Sequence, residues 1–282
     1  MSSDDQVFSG IFRRGSRTYF RSARFFPRPV RDDVGVLYGF VRTADDFVDR
    51  APQDAEGFQE FRRAYAACRE GGVPSGRPVI DVFVEVSARR SFDPAWAEAF
   101  LDSMAMDLVK SDYEDLGETM TYMYGSAEVI GLMMARLMGL EEGALPYARL
   151  LGRAMQYINF LRDIREDLGL GRTYLPRGEM RALGLSSLEE TEARARPEAF
   201  REFVRGQIAR YRSWQSEAEK GYAFIPRRCR APIRTAAEMY DWTAGRIEAD
   251  PFVVYRRKVR PSRARISVTG LRNVLKPGRD IR

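Results

Sequence analysis

The stretch that decides the fold is NFLRDIRED, which occupies residues 159–167. Its polar residues Asn159, Asp163 and Asp167 recur every four positions, which on a helix places them on one face. The apolar residues around them indicate a helix that is buried nearly all round. Carboxylates at this spacing repel one another, and buried charge is costly unless it is paired or liganded. We therefore interpret this face as a ligand site, with a buried ion pair between Arg162 and Asp163 as the alternative.

A second acidic cluster, DDFVD at residues 45–49, has the same spacing between Asp45 and Asp49. Two facing Asp pairs on separate helices would suit Mg²⁺, which prefers one or two carboxylates together with water and substrate phosphate. The pattern thus predicts a clamp that holds a diphosphate through magnesium. The alternative is that each acidic pair simply lies on a solvated helix face.

The composition is typical of a soluble globular protein, with 44% hydrophobic and 30% charged residues among 282. The sequence has no histidine, which excludes a Ser-His-Asp triad, a histidine general base and histidine-ligated zinc. Cys68 and Cys229 are too few for a disulfide framework, so we expect a cytoplasmic protein. No apolar run approaches the roughly 20 residues that cross a bilayer, and residues 1–9 lack a signal-peptide core.

Helical periodicity runs through almost the whole chain, and several residues mark where helices begin. Pro29, Pro78 and Pro94 are suited to the first turn of a helix, and Asp54 to an N-cap. One further helix is predicted from Pro146 to Asp167. Because no strand pair and no dinucleotide-binding glycine motif is evident, we predict an all-α fold with the two acidic helices facing across a central cavity.

The charge is distributed unevenly and suggests three regions. We predict an N-terminal extension at residues 1–14, one helical domain at 15–260 and a basic tail at 261–282, disordered from residue 266 onward. The tail contributes much of the net charge of +6. It lacks the interleaved aromatics of a single-strand-binding platform, so we expect no nucleic-acid partner. We expect it instead to bring the protein to the inner face of the membrane, as a peripheral contact with anionic lipid.

The segment from residue 102 to residue 140 is rich in methionine. Its methionines are Met104, Met106, Met120, Met123, Met133, Met134 and Met138. Methionine is adaptable filling, so these residues fit either an ordinary core or a cavity for a flexible apolar ligand. Ala127, Gly131 and Ala135 share one helix face, where small side chains would either deepen such a cavity or allow close helix packing.

From about residue 15 to about residue 258, blocks of this sequence resemble those of the squalene/phytoene synthase family, in the same order. The runs QYINFLRDIRED at 156–167 and GRTYLP at 171–176 are similar to the family's second signature, and RTADDFVD at 42–49 is similar to its first aspartate motif. Shorter blocks resemble the family's middle block and N-terminal flap: residues 106–108, 122–127 and 16–20.

The resemblance implies an isoprenoid-synthase fold that joins two prenyl diphosphates head to head. The residues that would hold Mg²⁺ are Asp45, Asp49, Asn159, Asp163 and Asp167. The residues that would contact diphosphate are Ser16, Arg17, Thr18, Arg42, Gln156, Arg162 and Tyr240. Tyr124 would lie beside the reacting carbons, and Arg256 or Arg257 would close over a diphosphate.

Two positions depart from the family's pattern. Glu128 stands where many members have glycine, and Arg165 replaces a small residue between the aspartates. An added carboxylate near the cavity would either tune a cation or pair with an arginine, and the sequence favours neither.

The resemblance also implies a product. With no nicotinamide motif in sight, it favours phytoene, formed from two geranylgeranyl diphosphates through a cyclopropylcarbinyl diphosphate. The alternatives are a C30 dehydrosqualene or squalene synthase and a relative that prenylates an aromatic acceptor. A head-to-tail synthase is disfavoured, because its second motif would repeat the Asp-Asp-x-x-Asp pattern, which residues 159–167 do not.

Overall fold

The computed structural model describes residue 23 and residues 25–275. Within these residues the regular structure is helical, apart from one isolated bridge between Asp112 and Thr173. The prediction of an all-α fold is confirmed. In the same residues no helix combines the length and the apolar character needed to cross a membrane.

The first four helices begin where proline and aspartate predict. Helix α1 (Arg28–Asp49) has Pro29 in its first turn, and α2 (Ala55–Gly71) is capped by Asp54, whose side chain accepts from the Gly57 amide at 2.9 Å. Helices α3 (Pro78–Arg89) and α4 (Pro94–Met106) both start at proline. Helix α1 buries an apolar stripe against α3 and α4, and this packing fixes its acidic C-terminal end.

The Met-rich segment continues from α4 into two helices joined by a π-helical turn. Helix α5 (Leu116–Met123) leads into the π-helix Tyr124–Glu128, which continues as α6 (Val129–Leu137). Gly125 lies in this turn, and a Cβ there would stand 2.0 Å from the Ala99 carbonyl oxygen. Only glycine therefore allows the π-helix to approach α4 so closely.

The predicted helix from Pro146 to Asp167 is broken in two. Helix α7 (Leu145–Arg162) follows the short 3-10 turn Glu142–Ala144, and α8 (Ile164–Gly169) follows a break at Asp163. The break falls where the Asp163 side chain is drawn toward Lys258, from a distant part of the chain. The four-residue spacing nevertheless survives, because the Asp163 amide donates to the Asn159 carbonyl at 2.8 Å and the Asp167 amide to the Asp163 carbonyl at 2.9 Å.

The remaining helices close the bundle around α7. Their bounds are α9 (Arg177–Ala182), α10 (Glu190–Ala195), α11 (Pro197–Glu219), α12 (Arg227–Ala249), α13 (Val253–Arg256) and α14 (Arg263–Leu275), with a 3-10 turn at Lys220–Ala223. Helices α6, α11 and α12 all pack against α7, which is therefore the central helix of the fold.

The prediction of a disordered tail from residue 266 is wrong as far as residue 275. Helix α14 packs on α12 through a buried face formed by Ile266, Thr269, Gly270 and Asn273. The side-chain amide of Asn273 donates to Thr235 Oγ1 at 3.3 Å. Residues spaced three and four apart form one side of a helix, and burying that side is what orders this segment. The predicted N-terminal extension and the last seven residues lie outside the described part of the chain.

Candidate active site

Helices α1, α6, α7 and α12 enclose an elongated cavity of about 330 Å³. Its walls are mainly apolar, and Gln156, Asn159 and Arg162 of α7 and Tyr240 of α12 contribute polar groups to the lining. Among the methionines of the Met-rich segment, Met134 and Met138 line the cavity, joined by Met155 of α7. Both interpretations of that segment are therefore right in part, since Met104, Met123 and Met133 belong to the buried core.

The first acidic cluster lies at the C-terminal end of α1. Arg42, one turn earlier, contacts Asp45 at 2.6 Å and Asp46 at 2.5 Å. Burial, followed by repulsion from Asp49, raises the pKa of Asp45 to about 7 although Arg42 opposes the shift. The carboxylates of this cluster are thus crowded with less compensating positive charge than they need.

The second cluster surrounds the break between α7 and α8. Asp163 is bonded by Arg162 Nε at 2.8 Å and by Lys258 Nζ at 2.9 Å. Burial opposes ionisation of Asp163, but these two cations hold its pKa below the usual value. Burial raises the pKa of Asp167 to about 8, and Asp163 and Asp49 add to the shift. The two acidic clusters lie close to one another, because Arg172 Nη1 bonds Asp49 at 2.9 Å while the Arg172 amide donates to the Asp167 carbonyl at 2.8 Å.

Two further residues complete the acidic site, and the sequence analysis gave them no role. Arg172 Nη1 bonds Asp49 at 2.9 Å and lies 3.9 Å from Asp107. Asp107 in turn accepts from the hydroxyls of Tyr122 and Tyr174, at 2.7 and 2.8 Å. Burial raises the pKa of Asp107 to about 6. Asp107 and Arg172 both lie inside blocks that resemble the family, at residues 106–108 and 171–176, and this resemblance could have indicated their role.

The basic residue near the C-terminal end that reaches the site is Lys258. Arg256 pairs instead with Asp250, and Arg257 lines a separate surface pocket, so closure of either over a diphosphate stays a prediction. The reason is the backbone. Helix α13 ends at Arg256, and Arg257 is extended, with φ −164° and ψ 149°. This turn directs Lys258 toward Asp163 and Glu166.

Tyr124 does not line the cavity. Its ring lies under the Arg149 guanidinium, 5.4 Å from the ring centroid, and the cavity wall at this level is formed by Ser126 and Ala127. The π-helix shifts which side chains point inward, and no periodicity in the sequence predicts that shift. The placement of Tyr124 beside the reacting carbons stays a prediction that rests on the resemblance.

Glu128 and Arg165 serve as structural contacts. Glu128 is 1% exposed and accepts from Arg149 at 2.9 Å and from Arg153 at 2.6 Å, which settles its role as an arginine partner. Arg165 donates to the Tyr255 carbonyl at 2.7 Å.

The three small residues of the π-helix and α6 have separate roles. Ala127 and Gly131 line the cavity, whereas Ala135 is fully buried and does not. Gly131 also allows close packing, because a Cβ there would lie 2.2 Å from the Ala148 carbonyl oxygen. The predicted diphosphate contacts Ser16, Arg17 and Thr18 lie outside the described residues.

The acidic site fits a divalent cation that is shared with a substrate. The side-chain oxygen Oδ1 of Asn159 is buried without a hydrogen-bond partner, as expected of an oxygen that coordinates a metal ion when the ion is bound. Within the described residues, no three acidic or cysteine side chains converge closely enough to hold a metal by themselves. Each cation would therefore need phosphate oxygens and water in addition to one or two carboxylates, as Mg²⁺ prefers.

Comparison with known proteins defines the class. The model of the family described as "Squalene/phytoene synthase" matches residues 12–268 of this chain. The chain therefore belongs to this family of prenyltransferases. The chain is 29% identical to 15-cis-phytoene synthase of Paracoccus sp. over 92% of its own length and 87% of that protein's. It is 31% identical to 15-cis-phytoene synthase of Pantoea ananas, over 80% of this chain and 76% of that protein.

Solved structures share the fold. The squalene synthase HpnC from Alicyclobacillus acidocaldarius superposes with a TM-score of 0.78 at 19% identity, covering 88% of this chain and 94% of that one. A dehydrosqualene synthase superposes with a TM-score of 0.77 at 22% identity, covering 96% and 98% of the two chains. The predicted isoprenoid-synthase fold is thus confirmed.

Proposed function

We propose that this protein joins two molecules of geranylgeranyl diphosphate head to head to form phytoene, in a magnesium-dependent reaction. The observation that carries the proposal is that two Asp clusters, joined by Arg172, adjoin Asn159 and Arg162 in the lining of a long apolar cavity. Relatives named phytoene synthase, about 30% identical over most of the chain, support the choice of product. The reaction releases two diphosphates and two protons for each phytoene: one proton leaves when the cyclopropane ring closes, and the other when the final cation is quenched.

The residues at the polar part of the cavity suit the ionisation of an allylic diphosphate. Asp45, Asp49, Asn159, Asp163 and Asp167 would hold Mg²⁺, which supplies charge neutralisation to the departing diphosphate. Gln156, Arg162 and Tyr240, which line the cavity, would bind its oxygens, together with Arg42 beside Asp45.

The apolar wall suits the rest of the reaction. It excludes water from the allylic cation, from the cyclopropylcarbinyl diphosphate that follows and from the second cation. Because the sequence has no histidine, the released diphosphate is the base best placed to accept the final proton.

A second candidate is C30 synthesis from farnesyl diphosphate, which the structural likeness to dehydrosqualene synthase and squalene synthase favours. A third, prenylation of an aromatic acceptor, would use the same clamp with one prenyl site.

Product analysis tests all three candidates. Purified protein with Mg²⁺ is given farnesyl or geranylgeranyl diphosphate separately, and then both with an aromatic acceptor. We expect phytoene from geranylgeranyl diphosphate. A C30 hydrocarbon alone would replace phytoene synthesis with the second candidate, and a prenylated aromatic without hydrocarbon would replace head-to-head joining. Omission of Mg²⁺ should abolish every product.

We also propose that the protein works as a peripheral protein at the inner face of the membrane. Its substrates carry long apolar tails and its product is wholly apolar. The C-terminal region, whose described residues 256–275 carry several arginines and no acidic residue, favours contact with anionic lipid.

A further inference from the structure

The outward face of α14 is apolar, and nothing in the described chain covers it. Of the seven large apolar side chains that are exposed in the described residues, four lie on this helix: Val268, Leu271, Val274 and Leu275. At 100° per residue they point away from the buried face that contains Ile266, Thr269 and Asn273. Leu275 is 80% exposed and Val268 65% exposed. A soluble helix normally presents polar side chains on this side.

A strongly basic pocket lies at the N-terminal end of the same helix. It has a volume of about 340 Å³, and no acidic side chain lines it. Its cations are Arg246, Arg257, Lys258, Arg260 and Arg265. Arg265 lies over the Trp242 ring, 5.0 Å from its centroid. Arg246, Arg257 and Arg260 form no ion pair within the described residues.

The two features are joined through α14 itself. Arg265 belongs to the pocket, and Val268 begins the exposed apolar face one helical turn further along. On its inner side α14 covers α12, and α12 in turn contributes Ile233, Ala236 and Tyr240 to the wall of the substrate cavity. A surface seated on α14 would therefore lie one helix away from the site where apolar substrate is held.

We infer that the pocket and the exposed face of α14 form one docking surface for an anionic phospholipid bilayer. The pocket takes a phosphate headgroup, and Val268, Leu271, Val274 and Leu275 enter the boundary between headgroups and acyl chains. Apolar insertion beside basic residues is how interfacial helices bind membranes. This inference rests on the proposed peripheral contact and assigns it to named residues. A second copy of the chain is a poorer occupant, because it would bring the same unpaired cations against one another.

Vesicle binding by the full-length protein tests this surface. Wild type should bind vesicles that contain phosphatidylglycerol and should leave pure phosphatidylcholine vesicles largely unbound. Arg246→Gln with Arg260→Gln should weaken binding about thirtyfold, at about 1 kcal/mol for each basic residue. Leu271→Glu should remove the part of the binding that persists in high salt. The matched controls are Arg63→Gln and Val73→Glu, which change an exposed arginine and an exposed valine far along the chain.

A further variant keeps the test decisive if Leu271→Glu fails to fold. Leu271→Trp preserves apolar character, and its fluorescence should shift to the blue only on vesicles containing phosphatidylglycerol. An unshifted spectrum, or equal vesicle binding by all variants, would overturn the inference. So would a solution dimer that Leu271→Glu dissociates and vesicles do not compete with. Turnover of detergent-dispersed substrate should be unchanged in Leu271→Glu. A wild-type protein that binds vesicles but makes no hydrocarbon would refute the proposed reaction and leave the docking surface standing.

Discussion

At the scale of single residues, the two acidic clusters contain carboxylates whose ionisation is unfavourable in the metal-free protein. Burial and neighbouring carboxylates raise the pKa of Asp167 to about 8, whereas Arg162 and Lys258 keep the pKa of Asp163 low against the effect of burial. A carboxyl whose pKa is higher in the folded than in the unfolded protein stabilises the fold below its unfolded pKa, near 4, and loses that contribution as the pH rises through the folded value.

The first prediction follows from this sign. Between about pH 4 and about pH 8, ionisation of Asp167 lowers the free energy of unfolding of the metal-free protein. Asp167→Asn should therefore raise its melting temperature at pH 8 by about 2–4 °C, equivalent to about 1 kcal/mol. Asp163→Asn should lower it, because Asp163 is stabilised as the anion. Calorimetry in EDTA across this pH range measures both, and equal effects of the two variants would contradict the assignment.

The second prediction concerns catalysis. Asp45→Asn or Asp163→Asn should reduce turnover at least about hundredfold, because each carboxylate neutralises charge as diphosphate departs. Far-UV circular dichroism should remain helical in both. Asp32→Asn is the control on the same helix as Asp45, since Asp32 is exposed and lies outside the cavity. Wild-type product formation by Asp163→Asn would remove that residue from the clamp.

At the scale of elements, Glu128 ties the π-helix to α7 through two arginines. Removing one member of a buried ion pair leaves charge uncompensated. The third prediction is that Glu128→Ala lowers the free energy of unfolding by about 3 kcal/mol, measured by urea denaturation. Arg149→Ala should cost less, because Arg149 is 44% exposed and Arg153 still pairs with Glu128. A change below about 1 kcal/mol in Glu128→Ala would show that the ion pair does not anchor the turn.

The sequence predicts those elements whose cause is local. Pro29, Pro78 and Pro94 begin helices and Asp54 caps one, because each acts on its own first turn. The expectation that the two acidic clusters approach each other has a different basis, namely the need of Mg²⁺ for carboxylates together with substrate phosphate. The break at Asp163 could not be predicted, since it involves Lys258, which is 95 positions away.

The π-helix depends on long-range contacts as well. These are the packing of Gly125 on Ala99 and the pairing of Glu128 with Arg153. The choice of Lys258 over Arg256 and Arg257 follows from one extended residue after α13, which residue type alone does not reveal.

At the scale of the whole molecule, the cavity follows α7 from its polar end to Ala144. The stretch from Ala148 to Asn159 alone spans about 16 Å at the rise of an α-helix. Ala144 lines the cavity beyond the start of α7, at the end furthest from the clamp. The length of prenyl chain that fits should therefore depend on this end of the cavity.

The fourth prediction compares two alanines. Ala144→Phe should shorten the accepted substrate from geranylgeranyl toward farnesyl diphosphate. Ala135→Phe should leave the preferred chain length unchanged and destabilise the fold by about 1–3 kcal/mol through overpacking, because Ala135 is buried outside the cavity. Product chromatography and thermal melts separate the two effects. A shift in chain length caused by Ala135→Phe alone would place the far end of the cavity elsewhere.

Lys258 is the one lining residue of the basic pocket that also touches the clamp. With a headgroup in the pocket, as inferred above, the Lys258 ammonium would be shared between an outer anion and an inner one, and the two sites would be thermodynamically linked. A headgroup that draws Lys258 outward leaves Asp163 more negative and strengthens its hold on a cation. By reciprocity, a cation at Asp163 frees Lys258 for the headgroup by the same factor. The affinity of the enzyme for the membrane would then be highest while metal and diphosphate are bound, and would fall when they dissociate. Membrane binding would thus rise and fall once in each catalytic cycle.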